Sequence, residues 1–243
     1  MPWLRTLLRG ADELIFPQQC LACEIAYPFD DRLESFCPNC RISLFHDPHE
    51  TCPRCSGTVG PHVDTSDGCP NCRRESYAFD SCFRLGPYDG ILRDTVLNMK
   101  QIAGESLAEA LGRVWATVAF DRFRTTNANL IVPIPLHWRR RWSRGFNQSE
   151  AIARGLAEVL RVPVSNRILK RTRSTPLQTT LSPSERRENV KGTFRETFSK
   201  DFRNFRILLI DDVLTTGATA HEAAKALKSA GTAQVHVAVV AHR

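Results

Sequence analysis

The sequence predicts an α/β protein: a mostly parallel sheet with helices on both faces, preceded by a small metal-binding domain. Three observations carry this. From about Ala78 onward, apolar runs of strand length alternate with amphipathic helical patterns. Before that point, eight cysteines fall into four Cys-x-x-Cys pairs, and near the end one apolar run, Ile207–Ile210, meets two adjacent carboxylates and a Thr-Thr-Gly turn.

The 243 residues, 42% of them hydrophobic, suffice for a large buried core. No apolar run approaches the roughly 20 residues of a membrane-spanning helix. Met1 to Pro17 carries Arg5, Arg9, Asp12 and Glu13 within its apolar pattern, so residues 1–19 read as an amphipathic N-terminal helix and not a signal peptide. The net charge of +7 is unevenly placed. Up to Leu85 there are eight Lys/Arg against twelve Asp/Glu, and beyond it twenty-five against fourteen. The basic part therefore predicts an anionic ligand or partner.

The pairs are Cys20/Cys23, Cys37/Cys40, Cys52/Cys55 and Cys69/Cys72, and 13 residues separate the pairs in each half of a twofold repeat. Each Cys-x-x-Cys turn aims two thiolates at one ion, and two turns complete a tetrahedral shell, so residues 20–76 read as two tandem zinc ribbons. A disulfide framework would need an oxidising compartment. Sequential and cross-braced pairing use the same residues, and both stay open. Four thiolates per ion leave no position for substrate, which makes these metals structural. Cys82 has no partner nearby and reads as a buried strand residue; His46 and His49 read as loop histidines.

Residues 77–243 supply the α/β domain. A strand is expected at Tyr77–Gly86, then one or two helices over Gly90–Phe120 with Leu92, Val96, Leu107, Leu111 and Val114 on the buried face. A strand at Asn129–Pro135 precedes a helix over Asn147–Leu160, a weaker strand near Asn166–Arg171 and a polar stretch from Arg173 to Asn204. The last elements are a strand from Phe205, a helix over Thr219–Gly231 and a strand from Gln234.

Ligands of such sheets bind at the carboxyl ends of strands, where loops meet helix N-termini. Asp211–Thr219 occupies that position. The Leu214–Ala218 amides can converge on a phosphate, Gly217 allows close approach, and Thr215, Thr216 and Thr219 add hydroxyls. Neither Gly-Lys-Ser/Thr nor Gly-x-Gly-x-x-Gly is present, so the nucleoside-triphosphate and dinucleotide loops are excluded by pattern. Carboxylates beside a phosphate cradle suit vicinal sugar hydroxyls with magnesium nearby. Capping of the following helix is the plainer use of the acids.

From Ile207 to Thr219 the order is four apolar residues, two acids, two apolar residues, Thr-Thr-Gly and a further Thr. This resembles the 5-phosphoribosyl-1-pyrophosphate (PRPP) signature of the type I phosphoribosyltransferases. The resemblance implies that Asp211 and Asp212 contact the ribose hydroxyls and that Val213, Leu214, Thr215, Thr216, Gly217, Ala218 and Thr219 bind the 5-phosphate. A second stretch, "VPIPLHWRRRWSRGFNQSEAIARGLA", is similar to the hallmark of the ComF family, as are "ELIFPQQCLAC", "LNMK" and "LKRTRSTPLQTTLSPSERRENVKGTF". Gln101 stands where many members have Tyr. Membership implies a cytoplasmic protein with an N-terminal zinc ribbon and a phosphoribosyltransferase-like domain.

By the transferase resemblance, the turn after the Val132–Pro135 strand is the pyrophosphate loop, with His137, Arg139, Arg140, Arg141 and Arg144 as contacts. Trp138, Trp142 and Phe146 interleave with these arginines, which also suits single-stranded nucleic acid. By position the Lys170–Phe205 connection is the flexible loop closing over PRPP, with Lys170, Arg171, Gln178, Arg186, Arg187 and Asn189 as polar candidates. Two functions follow: magnesium-dependent phosphoribosyl transfer, or handling of incoming single-stranded DNA with PRPP as regulator and uptake-machinery proteins as partners. A hood for the acceptor must come from the ribbons, the 90–120 helices or the flexible loop.

Overall fold

A computed structural model describes the chain at residues 19–27, 35–173, 182–197 and 203–243, without the side chains of Arg139, Arg140 and Pro183. Of the helix expected over residues 1–19, only Gln19 is among these residues, and it forms an antiparallel bridge with Ala26; the candidate Gln178 lies outside them. In chain order the elements are α1 (Pro38–Phe45), β1 (Ser81–Pro87), α2 (Gly90–Asn98), α3 (Gly104–Val118), α4 (Phe120–Arg124), β2 (Leu130–Pro133) and α5 (Trp138–Arg144). There follow α6 (Gln148–Leu160), β3 (Leu169–Arg171), α7 (Pro183–Val190), β4 (Phe194–Glu196), β5 (Arg206–Leu214), α8 (Ala218–Ser229) and β6 (Gln234–His242). No helix among the described residues is long and apolar enough to cross a membrane.

Four strands pair in parallel in the order β1-β6-β5-β2. Both faces are covered, which explains why these strands read as unbroken apolar runs. Along β5, Leu208 and Ile210 enter the core shared with α3 and α6, whereas Ile207 and Leu209 enter the one shared with α8. Val235, Val237 and Val239 of β6 repeat that alternation against Ala238 and Val240. Helices α3 and α6 cross so closely that a Cβ on Gly112 or Gly155 would collide with the opposite backbone.

The weak strand near Asn166–Arg171 stays out of this sheet; β3 pairs antiparallel with β4 in a separate two-stranded ribbon. The polar stretch expected from Arg173 to Asn204 is more regular than its composition suggests. Helix α7 starts with Pro183 and a reciprocal capping box between Ser182 and Glu185, while Val190 and Phe194 anchor it in the interior.

Strand lengths create the site. The last register pair between β2 and β5 is Pro133–Ile210, so beyond it no strand among the described residues lies beside the β2-facing edge of Asp211–Leu214. On its other side β5 continues along β6 to Leu214–His242. The carboxylates therefore emerge where the sheet opens.

Cys20, Phe36, Cys40 and Leu44 of the first ribbon share one apolar cluster with Phe83, Leu85 and Leu92 of the sheet and α2. Cys52, Cys55, Cys69 and Cys72 form a separate cluster flanked by Val59 and Tyr77. Buried Arg84 of β1 ties both down, donating to Asp47 Oδ2 at 2.8 Å and to Thr58 Oγ1 at 2.7 Å.

Candidate functional site

Two cysteine clusters and one cleft gather the chemistry. The clusters are Cys20/Cys23/Cys37/Cys40 and Cys52/Cys55/Cys69/Cys72, with all four sulfurs of each within 4.8 Å of one another. Pairing is thus sequential along the chain. Sulfur–sulfur distances of 3.7 Å (Cys52–Cys72, Cys55–Cys69, Cys69–Cys72) and 3.9 Å (Cys23–Cys37) are too long for disulfides. They match the edge of about 3.8 Å that a tetrahedron with 2.3 Å zinc–sulfur bonds requires. Backbone N–H groups point at sulfur, from Cys37 to Cys20 at 3.3 Å and from Gly57 to Cys55 at 3.4 Å, as thiolates favour. Each cluster could hold one structural zinc. Cys82 is the buried strand residue expected, and burial pushes its thiol up to about 12.

The cleft, about 330 Å³, lies over the carboxyl ends of the main sheet. Asp211, Asp212, Val213, Thr215 and Thr219 form its floor. Asp211 Oδ1 accepts from the Ser149 hydroxyl at 3.2 Å and the Asp212 amide at 2.9 Å; Asp212 Oδ1 accepts the Val213 amide at 2.8 Å. Lys100 pairs with Asp212 Oδ2 at 2.9 Å. Burial, then the neighbouring Asp212 charge, pushes the Asp211 carboxyl up to about 8. Two carboxylates so close cannot both ionise cheaply, and Lys100 stands beside the pair.

Gly217 adopts a left-handed φ of +73° and begins α8 without a side-chain cap. The Ala218 N–H donates to Thr216 Oγ1 at 3.4 Å, and the helix dipole makes this end of α8 attractive to an anion. Among the described residues, no protein acceptor takes the Thr216 or Gly217 amide proton. The plainer use of the acids, capping α8, is not seen: their oxygens accept from Asp212, Val213 and Ser149.

Of the pyrophosphate candidates, Arg144 lines the cleft. Arg141 turns onto Glu150 at 3.3 Å, and His137 is buried against the Trp138 ring. The segment is a short helix, α5, and not an open turn; the side chains of Arg139 and Arg140 on it are not described. Of the flexible-loop candidates, Arg171 and Arg186 reach the cleft. Lys170 is exposed on β3, Asn189 is half-buried on α7, and Arg187 instead pairs with Glu75 at 2.6 Å.

Sequence reasoning passed over Tyr88, Leu97, Lys100, Gln148, Ser149 and Arg243, which also line the cleft. Gln148 and Ser149 could have been found from their place just inside Asn147, whose side chain accepts the Ser149 amide at the N-cap of α6. Gln148 is 2% exposed, and its carboxamide oxygen lacks a partner among the described residues.

Residues 143–243 match the family model for the phosphoribosyl transferase domain. The chain is 30% identical to Competence protein F of Haemophilus influenzae over 205 residues, covering 83% of this chain and 87% of that protein. It is 30% identical to DNA utilization protein YhgH of Escherichia coli K12 over 221 residues, covering 90% and 87% respectively. It is 27% identical to Competence protein ComFC of Bacillus subtilis over 210 residues, covering 82% and 80%.

Proposed function

This chain belongs to the ComF family, and from that premise we propose that it binds PRPP and transfers the phosphoribosyl group to an acceptor nucleophile. The observation that carries the reading is the junction of Asp211 and Asp212 with the Thr-Thr-Gly turn and the N-terminus of α8 at one end of one strand. The 5-phosphate meets the loop amides and the Thr215 and Thr219 hydroxyls, and the ribose hydroxyls donate to the acids. Arg144, Arg171 and Arg186, all lining the same cleft, meet the pyrophosphate.

Displacement at one carbon without an enzyme nucleophile places the incoming and leaving groups on opposite sides. Pyrophosphate on the β2 side leaves the acceptor the β1 side, lined by Tyr88, Leu97 and Lys100, so α2 and the turn after it supply the hood. The chain's part is positioning and charge stabilisation. Magnesium bound with the pyrophosphate supplies further neutralisation of the leaving group, and the oxygens of Asp211 and Asp212 suit such a hard cation. One zinc per cysteine cluster is structural. Thiolate clusters suit a reducing compartment, and the reading includes a cytoplasmic location.

The test is calorimetry of PRPP with magnesium, on the wild type and on Asp211→Asn/Asp212→Asn. Binding by the wild type and a loss of at least about tenfold in the variant, roughly 1.4 kcal/mol, is expected. Unchanged affinity defeats the reading. Pyrophosphate release from labelled PRPP with pooled nucleobases then separates transfer from binding alone.

A second reading, single-stranded DNA handling, is favoured by Trp138 and Trp142. They are 59% and 83% exposed, one helical turn apart on α5. Bases stacked on them would contribute roughly 1–3 kcal/mol each. Phe146 is withdrawn from this role because it is buried in the core. Single-strand affinity that falls with salt and drops in Trp142→Ala is expected under this reading; salt-insensitive binding, or none, removes it.

A further inference from the structure

We propose that Tyr77, in the segment leaving the second ribbon, is a positioning residue for the phosphate loop, holding the Thr216–Gly217 peptide so that its N–H faces the cleft. The proposal rests on the reading of Val213–Thr219 as a 5-phosphate cradle. The Tyr77 hydroxyl donates to the Thr216 carbonyl at 3.4 Å. In a trans peptide the C=O and N–H point to opposite sides, so fixing the carbonyl on the ribbon side turns the Gly217 N–H away from it. On that other side lie Thr215, Thr219 and the acids.

The ring is also a steric support. A Cβ on Gly217 would stand 2.8 Å from Tyr77 Cε1, so the ring edge lies directly against this glycine. Glycine is thus required twice, by its left-handed φ and by the ring. Tyr77 is itself held firmly. It stacks on Phe79 with centroids 4.6 Å apart, and the Arg54 guanidinium lies 6.0 Å from its ring centre. Arg54 donates to the carbonyls of Cys72, at 3.1 Å, and Glu75, tying the tyrosine to the second cysteine cluster.

The next residue doubles the link. The Ala78 N–H donates to His221 Nδ1 at 3.1 Å, and the His221 N–H returns to the Gly217 carbonyl at 2.8 Å. Both carbonyls that bracket Gly217 are therefore fixed, one by Tyr77 and one by α8. Tyr77 packs against both the cysteine cluster and the α8-side core. The second ribbon thereby becomes a strut of the phosphate site.

Ribose 5-phosphate is the probe, because it engages the loop without pyrophosphate or acceptor. Its affinity is measured for the full-length, zinc-loaded chain and for Tyr77→Phe and Tyr77→Leu, with zinc content and melting temperature read alongside. Tyr77→Phe keeps the ring and loses the donor, and about threefold weaker binding is expected at unchanged zinc content and melting temperature. Tyr77→Leu loses both and is expected to bind about tenfold more weakly or worse. If Tyr77→Leu proves unstable, Tyr77→Phe decides alone. Wild-type affinity in Tyr77→Phe, or melting that falls without a change in affinity, overturns the role of Tyr77 and leaves the cradle reading intact. Failure of the wild type to bind ribose 5-phosphate overturns the cradle reading itself.

Discussion

In the first ribbon Cys23 and Cys37 are half-buried, and the residues around the cluster, Phe36 and Leu44, run on into the core beneath α2 and α3. In the second ribbon all four cysteines are buried, their cluster is separate from the cores, and its outlet, Tyr77, rests on the phosphate loop. The repeat that generates both is the same, two Cys-x-x-Cys turns 13 residues apart. Metal geometry is therefore a local property, whereas the use made of each ribbon depends on what the chain packs against it. The first adds to the hydrophobic core of the transferase-like domain, and the second reaches the Val213–Thr219 loop.

The largest effects should come from removing ligands. The purified chain is expected to carry about two zinc ions, one per tetrahedral set of thiolates. Cys55→Ser should release one ion and abolish ribose 5-phosphate binding, since structural zinc contributes an apparent 10–16 kcal/mol or so at such sites. Cys23→Ser should release the other ion. Because Cys20, Phe36, Cys40 and Leu44 share a cluster with Phe83 and Leu92, it should also lower the melting temperature of the whole chain in one transition. Two separate transitions by calorimetry would instead favour a boundary at residue 76 between independent domains. An affinity loss equal in both variants would erase the contrast drawn between the ribbons.

A smaller effect is expected at Arg84, which binds Asp47 between the ribbons and Thr58 in the second one. Arg84 is buried and Asp47 partly so, with side-chain exposures of 2% and 14%, so Arg84→Ala removes the carboxylate's cationic partner and should cost about 1.5–3 kcal/mol in urea titration. A cost below about 1 kcal/mol would mean that the ribbons are held by their apolar contacts alone.

The smallest effect is a pH dependence at the partner residue. Burial alone would raise the Asp47 carboxyl, but hydrogen bonds from Arg84 and from the His49 amide and ring hold it below its ordinary value. A depressed folded pKa means that the contribution to stability is fully present above the unfolded pKa and is lost as pH falls through the folded one. Stability should thus decline below about pH 4 less steeply in Asp47→Asn than in the wild type. Parallel acid-denaturation curves would show that Asp47 does not carry this linkage.

Much of the site was legible because its signals are contiguous. The acids, the Thr-Thr-Gly turn and the helix after it lie within Asp211–Ser229, and strand and helix periods alone place them at the end of a buried strand. The arginine cluster was legible as a group but not residue by residue. Arg144 faces the cleft while Arg141 is drawn to Glu150, a choice set by an adjacent helix. In the polar stretch, charge outweighed the capping box at Ser182 and Glu185 in the sequence-based reading, although two buried apolar residues suffice to anchor that helix and strand.

By itself the sequence determined the two sets of four cysteines, the parallel α/β plan and the junction of two carboxylates with a Thr-Thr-Gly turn at a helix start. Each depends on residues close along the chain or on a repeating period that backbone geometry translates directly into structure. Tertiary structure alone decided which distant residues complete the site. Lys100 reaches Asp212, Ser149 reaches Asp211 and Tyr77 reaches Thr216 across 112, 62 and 139 positions respectively. The first two contacts follow from the strand order β1-β6-β5-β2, which brings the exits of β1 and β6 and the start of α6 around the end of β5, whereas Tyr77, which precedes β1, arrives with the second ribbon. No local pattern encodes that proximity, because it arises only when both faces of the sheet are buried together.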